Sequence, residues 1–286
     1  MRANRKRRAI LHAARANRRD DGTTAKMVLA ILAVVAVLGA AVGLFVGFTR
    51  LRELWIEQCV ITDVTRQVAI ETGSHVKPGI VLDGFGLRNG ANLALIDFKA
   101  KRAELMAKVP NIRTLAVSRK LPDRVVITVG EREPVARLAL KGQRNATGRV
   151  VDAEGVVFMR RVGTEMLPVI REAHQPGTQP GKTLPPRARA ALLLVSLCRE
   201  QDFAGLNILE VDTSNQDYLV AVLGNYQRAK IAWEGMDEQT AASRKRLVNN
   251  LMNLRDTINS GLGTRAVLWN ATEPDRVYAD LKEPIQ

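Results

Sequence analysis

Few residues in this chain have the types and spacing for chemistry, and each set has a plainer explanation. Glu131, Arg132 and Glu133 form an acid–base–acid run. Paired carboxylates can serve general acid–base catalysis, but only in a cleft that tunes their pKa values. An ion pair at a domain boundary explains the run more simply. His12, His75 and His174 show no H-x-x-x-H spacing, so they do not read as a metal centre. Cys59 and Cys198 lie in no C-x-x-C pattern and read as buried small hydrophobes, neither a zinc site nor a disulfide framework. No G-x-S-x-G nucleophile elbow is present. Gly84-Phe85-Gly86 with Gly90 looks like a phosphate loop, but it follows a predicted helix instead of a strand, so turn geometry is the better reading. Asn145-Ala-Thr and Asn270-Ala-Thr match glycosylation sequons, a pattern short enough to arise by chance. The chain therefore predicts no catalytic residue, no cofactor and no metal.

The elements around these residues suit an anchored protein of small domains. The chain has 286 residues, 46% hydrophobic but only 4% aromatic, so its cores must be mostly aliphatic. Its net charge of +14 is uneven: residues 1–26 hold nine Lys/Arg against Asp20 and Asp21, half of the excess. Met27 to Phe48 follows, 22 residues with no charge. A helix of that length spans a hydrocarbon core of about 30 Å. It exceeds the apolar core of a cleaved signal peptide, about 7–15 residues. The basic flank predicts a cytoplasmic tail (1–26), a transmembrane helix (27–48), a juxtamembrane linker (49–64) and an extracytoplasmic remainder. The tail carries no interleaved aromatics, so orientation and lipid attraction explain it better than nucleic-acid binding. Gly39 and Gly43 form a G-x-x-x-G within the span.

Beyond the anchor, alternation at Val68 and Ile70 predicts a short strand in 66–71. Pro78 suits the first turn of a helix ending near Phe85, and Asp97 caps a second helix with Phe98, Leu105, Met106 and Val109 on one face. Residues 112–120 and 124–129 read as a hairpin around Leu121-Pro122-Asp123, the second arm placing Val125, Ile127 and Val129 on one face. The order strand, helix, helix, strand, strand makes a small α+β unit over 65–133. Pro134 stiffens the exit. A mixed, β-rich domain with two helices is expected over 134–280, then a tail of 281–286. Its expected parts are a strand at 135–140, a hairpin in 149–160, a loop over 171–184, a buried helix from Pro186, and strands at 207–212, 217–223 and 228–233. An amphipathic helix from Met236 to about Ser260 and terminal strands at 265–269 and 275–281 complete it.

"GLRNGANLALID", "VPNIRTLAVSRKLPDRVVITVGEREPVA" and "VVDAEGVVF" followed by "LPVI" resemble the bacterial cell-division family FtsQ/DivIB. The motif residues Arg119, Leu121, Pro122, Asp123, Glu131, Arg132 and Pro134 carry most of the likeness. The resemblance implies a POTRA domain, then a β domain, in a non-enzymatic, single-pass scaffold of the inner membrane and division septum. Its implied partners are FtsB- and FtsL-type division proteins. By the same resemblance, the last strands would carry the main FtsB contact, here Trp269, Asn270, Ala271, Thr272, Val277 and Tyr278. The family's aspartate-rich penultimate strand is replaced by "AVLWNATEP". Two other classes stand beside this one. An outer-membrane assembly or secretion component would normally need a barrel, and no series of ten-residue alternating strands supplies one. A tethered cell-wall enzyme has no supporting constellation.

Overall fold

The computed structural model describes residues 2–120, 122–143, 148–174, 176–233, 235, 236, 240–262, 265–273 and 275–281. Leu121, the sequon at Asn145 and residues 282–286 of the expected tail lie outside that set. The chain forms two compact units, one of Met1–Gln67, Arg88–Ile96 and Lys120–Arg124, the other of the remaining segments.

The first unit is dominated by α1 (Arg2–Gln58), 57 residues in one helix. Its stretch Lys26–Gln58 is long and apolar enough to cross a membrane. The residues expected as a linker from 49 are therefore helical as far as Gln58. The helix end is satisfied locally: the Ile56 carbonyl accepts from Cys59 N and from Asn92 Nδ2. Leu93 N donates to the Cys59 carbonyl, and Val60 bridges Asn92. A short helix, α2 (Val64–Gln67), follows. Its Gln67 side chain accepts from Thr62 N and Asp63 N and donates to Asp123 at 3.1 Å.

The second unit begins with a three-stranded sheet. Strand β1 (Val68–Glu71) runs parallel to β3 (Arg124–Glu131), and β2 (Ile112–Lys120) lies on the other side of β3. Alternation fixes the faces: Val125, Ile127 and Val129 are buried together. Helix α3 (Pro78–Phe85) starts on proline and ends at Gly86, whose φ of 70° gives the left-handed cap. Helix α4 (Phe98–Lys108) starts at Asp97, which accepts from Ala100 N, and buries Phe98 and Leu105. Met106 and Val109 are only partly buried.

The large sheet has nine strands. In chain order they are β4 (Ala136–Leu140), β5 (Arg149–Val151), β6 (Val157–Met159), β7 (Val169–Glu172), β8 (Ile208–Asp212), β9 (Tyr218–Leu223), β10 (Arg228–Ala232), β11 (Ala266–Ala271) and β12 (Tyr278–Leu281). Their order across the sheet is β12-β11-β10-β9-β8-β7-β4-β5-β6. Helix α5 (Pro186–Leu197) connects the parallel pair β7 and β8, and α6 (Ala241–Thr257) connects the parallel pair β10 and β11. One core joins these helices to the sheet through Ile170, Leu194, Leu219, Ile231, Leu251 and Trp269. The buried stripe Leu247, Leu251 and Leu254 matches the expected face of α6, and Arg244, Lys245 and Arg246 are exposed. Two expectations change. The helix expected from Met236 begins at Ala241, capped by Thr240, and a π turn continues it over Ile258–Leu262. The loop expected at 171–184 gives its first two residues to β7, which is paired on both sides by parallel neighbours.

Candidate functional site

The boundary motif holds the small sheet against the β5–β6 hairpin. Arg132 makes the ion pair expected at this boundary, with Asp152 instead of an adjacent glutamate. Its guanidinium meets Asp152 at 2.5 Å and donates to the Pro110 carbonyl at 2.9 Å. Asp152 is almost fully buried and also accepts from Val156 N, which fixes the hairpin turn. Arg113 pairs with Glu154 in the same turn. Glu131 points elsewhere and accepts from His75 N and Val76 N. That approach requires Gly73, because a Cβ there would sit 2.7 Å from the Glu131 carboxyl. Arg119 lies over the Phe98 ring, and Pro122 is exposed. Glu131 thus acts as a loop cap and Arg132 as a bridge.

Among the described residues no His, Cys, Asp and Glu cluster could hold a metal. His75 and His174 lie in loops, while the His12 side chain is outside the described set. Both cysteines are free and buried. Burial raises the Cys59 thiol pKa and pushes that of Cys198 up to about 12, so neither is an activated nucleophile.

The two edges of the large sheet differ in what covers them. At the β6 edge, Val157 N donates to the Lys182 carbonyl and Gly181 N donates to the Val157 carbonyl. Val156 bridges Thr183, and Met159 O accepts from Asn111 Nδ2 at 2.8 Å. The segment covering this edge is tied down in turn. Glu172 accepts from Thr178 N and Oγ1 and pairs with Arg149 at 3.0 Å, and both charges are buried. Gly177, with φ of 79°, lies too close to Arg149 and Glu172 for any Cβ.

At the other edge, β12 pairs only with β11, from Asn270↔Tyr278 to Ala266↔Leu281. No backbone group among the described residues bonds to its outer side. The six residues expected at a partner contact divide between the surface and the core. Tyr278 is 47% exposed, with its hydroxyl 3.3 Å from Glu273. Asn270 accepts from Thr272 N and Oγ1, and Val277 rests against the core edge. Trp269 and Ala271 point inward, and Trp269 is 0% exposed. Trp269 Nε1 donates to Gln227, which itself donates to the Ala266 carbonyl, pinning β11 in place. Alternation along "AVLWNA" carries this signal, since residues 269 and 271 must share one face and 270 the other. The edge position of β12 has no such local signal.

Residues 65–132 match the family model described as the POTRA domain, FtsQ-type. That segment is an FtsQ-type POTRA domain. The match covers β1, α3, α4, β2 and β3 and ends on Arg132, the residue that bridges to Asp152. It supports the FtsQ/DivIB resemblance and, with it, a general role in cell division. POTRA domains of this type are generally non-enzymatic interaction modules. No curated protein matches the chain.

Proposed function

We propose that this chain is a non-enzymatic, single-pass scaffold of the bacterial division machinery, whose β12 edge accepts a strand from an FtsB-type partner. The observation that carries the reading is the asymmetry of the nine-stranded sheet, which among the described residues is covered at β6 and unpaired on the outer side of β12. An unpaired edge is a template for another strand: main-chain hydrogen bonds supply affinity and alternate side chains supply selectivity. Tyr278, Asp280 and Leu281 are the exposed side chains there. Trp269 and Ala271 serve the edge from inside by holding β11.

In this reading residues 1–26 are cytoplasmic, 27–48 cross the inner membrane, and the POTRA domain (65–133) and β domain (134–280) stand outside it at the septum. The long apolar helix and its basic flank support that topology. FtsL-type proteins would join through the same complex. The alternative, a part of outer-membrane assembly or secretion, shares only the POTRA module.

The test is co-purification of an FtsB-type partner with single proline variants along β12. Val277→Pro, Ala279→Pro and Asp280→Pro each remove one N–H. Variants whose lost N–H faced outward should lose the partner while keeping the wild-type unfolding midpoint. Full retention by all three would remove β12 as the site.

A further inference from the structure

A cavity of about 560 Å³ lies beside the start of α5, between the segment at 173–178 and the residues that follow β8 and β10. Small-ligand pockets span about 300–1,000 Å³. Pro176, Pro185, Pro186, Ala188 and the half-buried Trp233 give it apolar walls. Most of its polar side chains are engaged or exposed. Glu172 is paired with Arg149, the Thr178 hydroxyl donates to Glu172, and the Thr213 hydroxyl donates to the Arg171 carbonyl. His174 and Thr183 are exposed.

Arg187, also in the lining, differs. Its Cζ lies 6.0 Å from the Trp233 ring centroid, and Trp233 Nε1 in turn donates to the Gln216 carbonyl at 2.6 Å. Arg187 Nη1 donates to the Asn215 carbonyl at 3.1 Å and the Thr213 carbonyl at 3.4 Å. The guanidinium is thereby held in place, but by neutral partners. Among the described residues no carboxylate pairs with it, and its Nε and Nη2 make no hydrogen bond. The side chain is half-buried, and neither nitrogen is sealed from solvent. Together they form one edge of the planar fork, two parallel N–H donors.

The open edge selects its complement. Two parallel N–H bonds match the two oxygens of a carboxylate. One uncompensated cation offsets one negative charge, so a dianion would bring a second charge without a partner, near the Glu172 carboxylate. An incoming cation would meet Arg187, and a neutral amide offers one oxygen and no charge. The dipole of α5, positive at this end, acts in the same direction. The proline and tryptophan walls call for an apolar body behind the carboxylate. We propose that this cavity binds an apolar-bodied monocarboxylate, its oxygens on the Nε–Nη2 edge of Arg187 and its body against Trp233 and the prolines. A free small acid and the C-terminal carboxylate of a peptide share this chemistry. The site has no residue in common with the β12 edge and does not depend on its role.

The experiment is an NMR titration of the full chain in detergent micelles, following the indole N–H signals of its three tryptophans, Trp55, Trp233 and Trp269. The probes are 3-phenylpropionate, its neutral counterpart 3-phenylpropionamide, acetate, and acetyl-alanyl-phenylalanine with a free carboxylate. 3-Phenylpropionate should shift Trp233 saturably and leave the buried Trp269 unmoved. The amide, which lacks the charge, and acetate, which lacks the body, should each bind at least tenfold more weakly. Arg187→Gln should also weaken 3-phenylpropionate at least tenfold, and Arg187→Lys, which keeps the charge without the fork, should lie between. The comparison of acid with amide uses the wild-type chain, so it stays decisive if a variant folds poorly. Equal binding of acid and amide would overturn the proposal, as would unchanged binding in Arg187→Gln. So would the absence of a saturable shift at Trp233, including shifts confined to Trp55 on α1, which mean partition into the micelle only. Tighter binding of the peptide would identify a chain terminus as the source, and tighter binding of 3-phenylpropionate a free acid.

Discussion

At one end of the nine-stranded sheet, β6 shares its backbone groups with Gly181, Lys182 and, through a side chain, Asn111; at the other, β12 has, among the described residues, a neighbour on one side only. Both are short, of three and four residues. Length therefore does not separate them. What separates them is the amount of structure committed to covering one of them. A Pro/Gly-rich segment, a buried Arg149–Glu172 pair and the docked POTRA domain all converge on β6. Exposed edges invite unwanted pairing, so in the proposed reading a covered edge beside an open one would direct association to a single place.

The largest expected effect comes from opening the closed edge. Glu172→Ala removes the acceptor of Thr178 and the partner of Arg149. Breaking a buried pair costs about 3–5 kcal/mol. The urea midpoint should fall accordingly, and light scattering should show new self-association as β6 is uncovered. A variant that unfolds earlier but stays monomeric would show that the 176–183 segment stabilises without guarding the edge.

Next in size is Arg132→Leu, which leaves Asp152 buried without its cation. A loss of about 2–3 kcal/mol is expected, since Arg132 is less enclosed than its partner. Hydrogen exchange should accelerate in the β5–β6 hairpin more than in β11 and β12. Equal acceleration at both edges would break the comparison.

The proline variants of β12 come third. Each variant whose lost N–H faced outward removes one main-chain hydrogen bond to a partner, worth about 0.5–1.5 kcal/mol, or roughly twofold to tenfold in affinity. The smallest effect concerns Cys198, beneath the sheet on α5's end. Its folded pKa, near 12, lies above the usual thiol value of about 8.5. The folded state therefore holds this proton more tightly than the unfolded chain. That stability is fully present below about pH 8.5 and is lost progressively toward pH 12. A thiol reagent at pH 8 should modify Cys198 only at the unfolding rate. Immediate labelling of the native chain would show that the core on this side opens independently.

Much of the local structure could be read from the residues. Val125, Ile127 and Val129 announce a strand with one buried face, and Asp97 and Pro78 mark helix starts by capping chemistry that acts over three or four residues. The almost continuous apolar run from Ala190 to Cys198 correctly predicts a buried helix. What escaped reading was set over long range. Strand β7 is only "VIRE", and its partners β4 and β8 lie about thirty to forty residues away in each direction, so nothing within it distinguishes it from the loop that follows. The same holds for the two edges. Which strand ends a sheet depends on three parallel connections, one through the β5–β6 hairpin and two that depend on how α5 and α6 pack. Family likeness implies a contact role for Trp269, whereas its own alternation with Asn270 places it in the core. Arg132 makes the ion pair expected at the boundary, but its partner is not legible in the run, because Asp152 is twenty residues away and two strands lie between.

One consequence lies at the other end of the chain. Helix α1 runs unbroken through Gln58, and Asn92 and Leu93 are bonded to its last turn. With α1 in a bilayer, as proposed, the loop at 88–96 behaves as the head of a crank and the membrane helix as its shaft. Each helical residue turns the shaft by about 100°. One alanine inserted between Arg50 and Glu53 would therefore rotate the loop by that angle, and a second or third would turn it further. Only the fourth would bring it back to nearly its starting azimuth. Division complementation by insertions of one to four residues should follow that rhythm if the azimuth matters. A flat response would mean that the shaft turns freely.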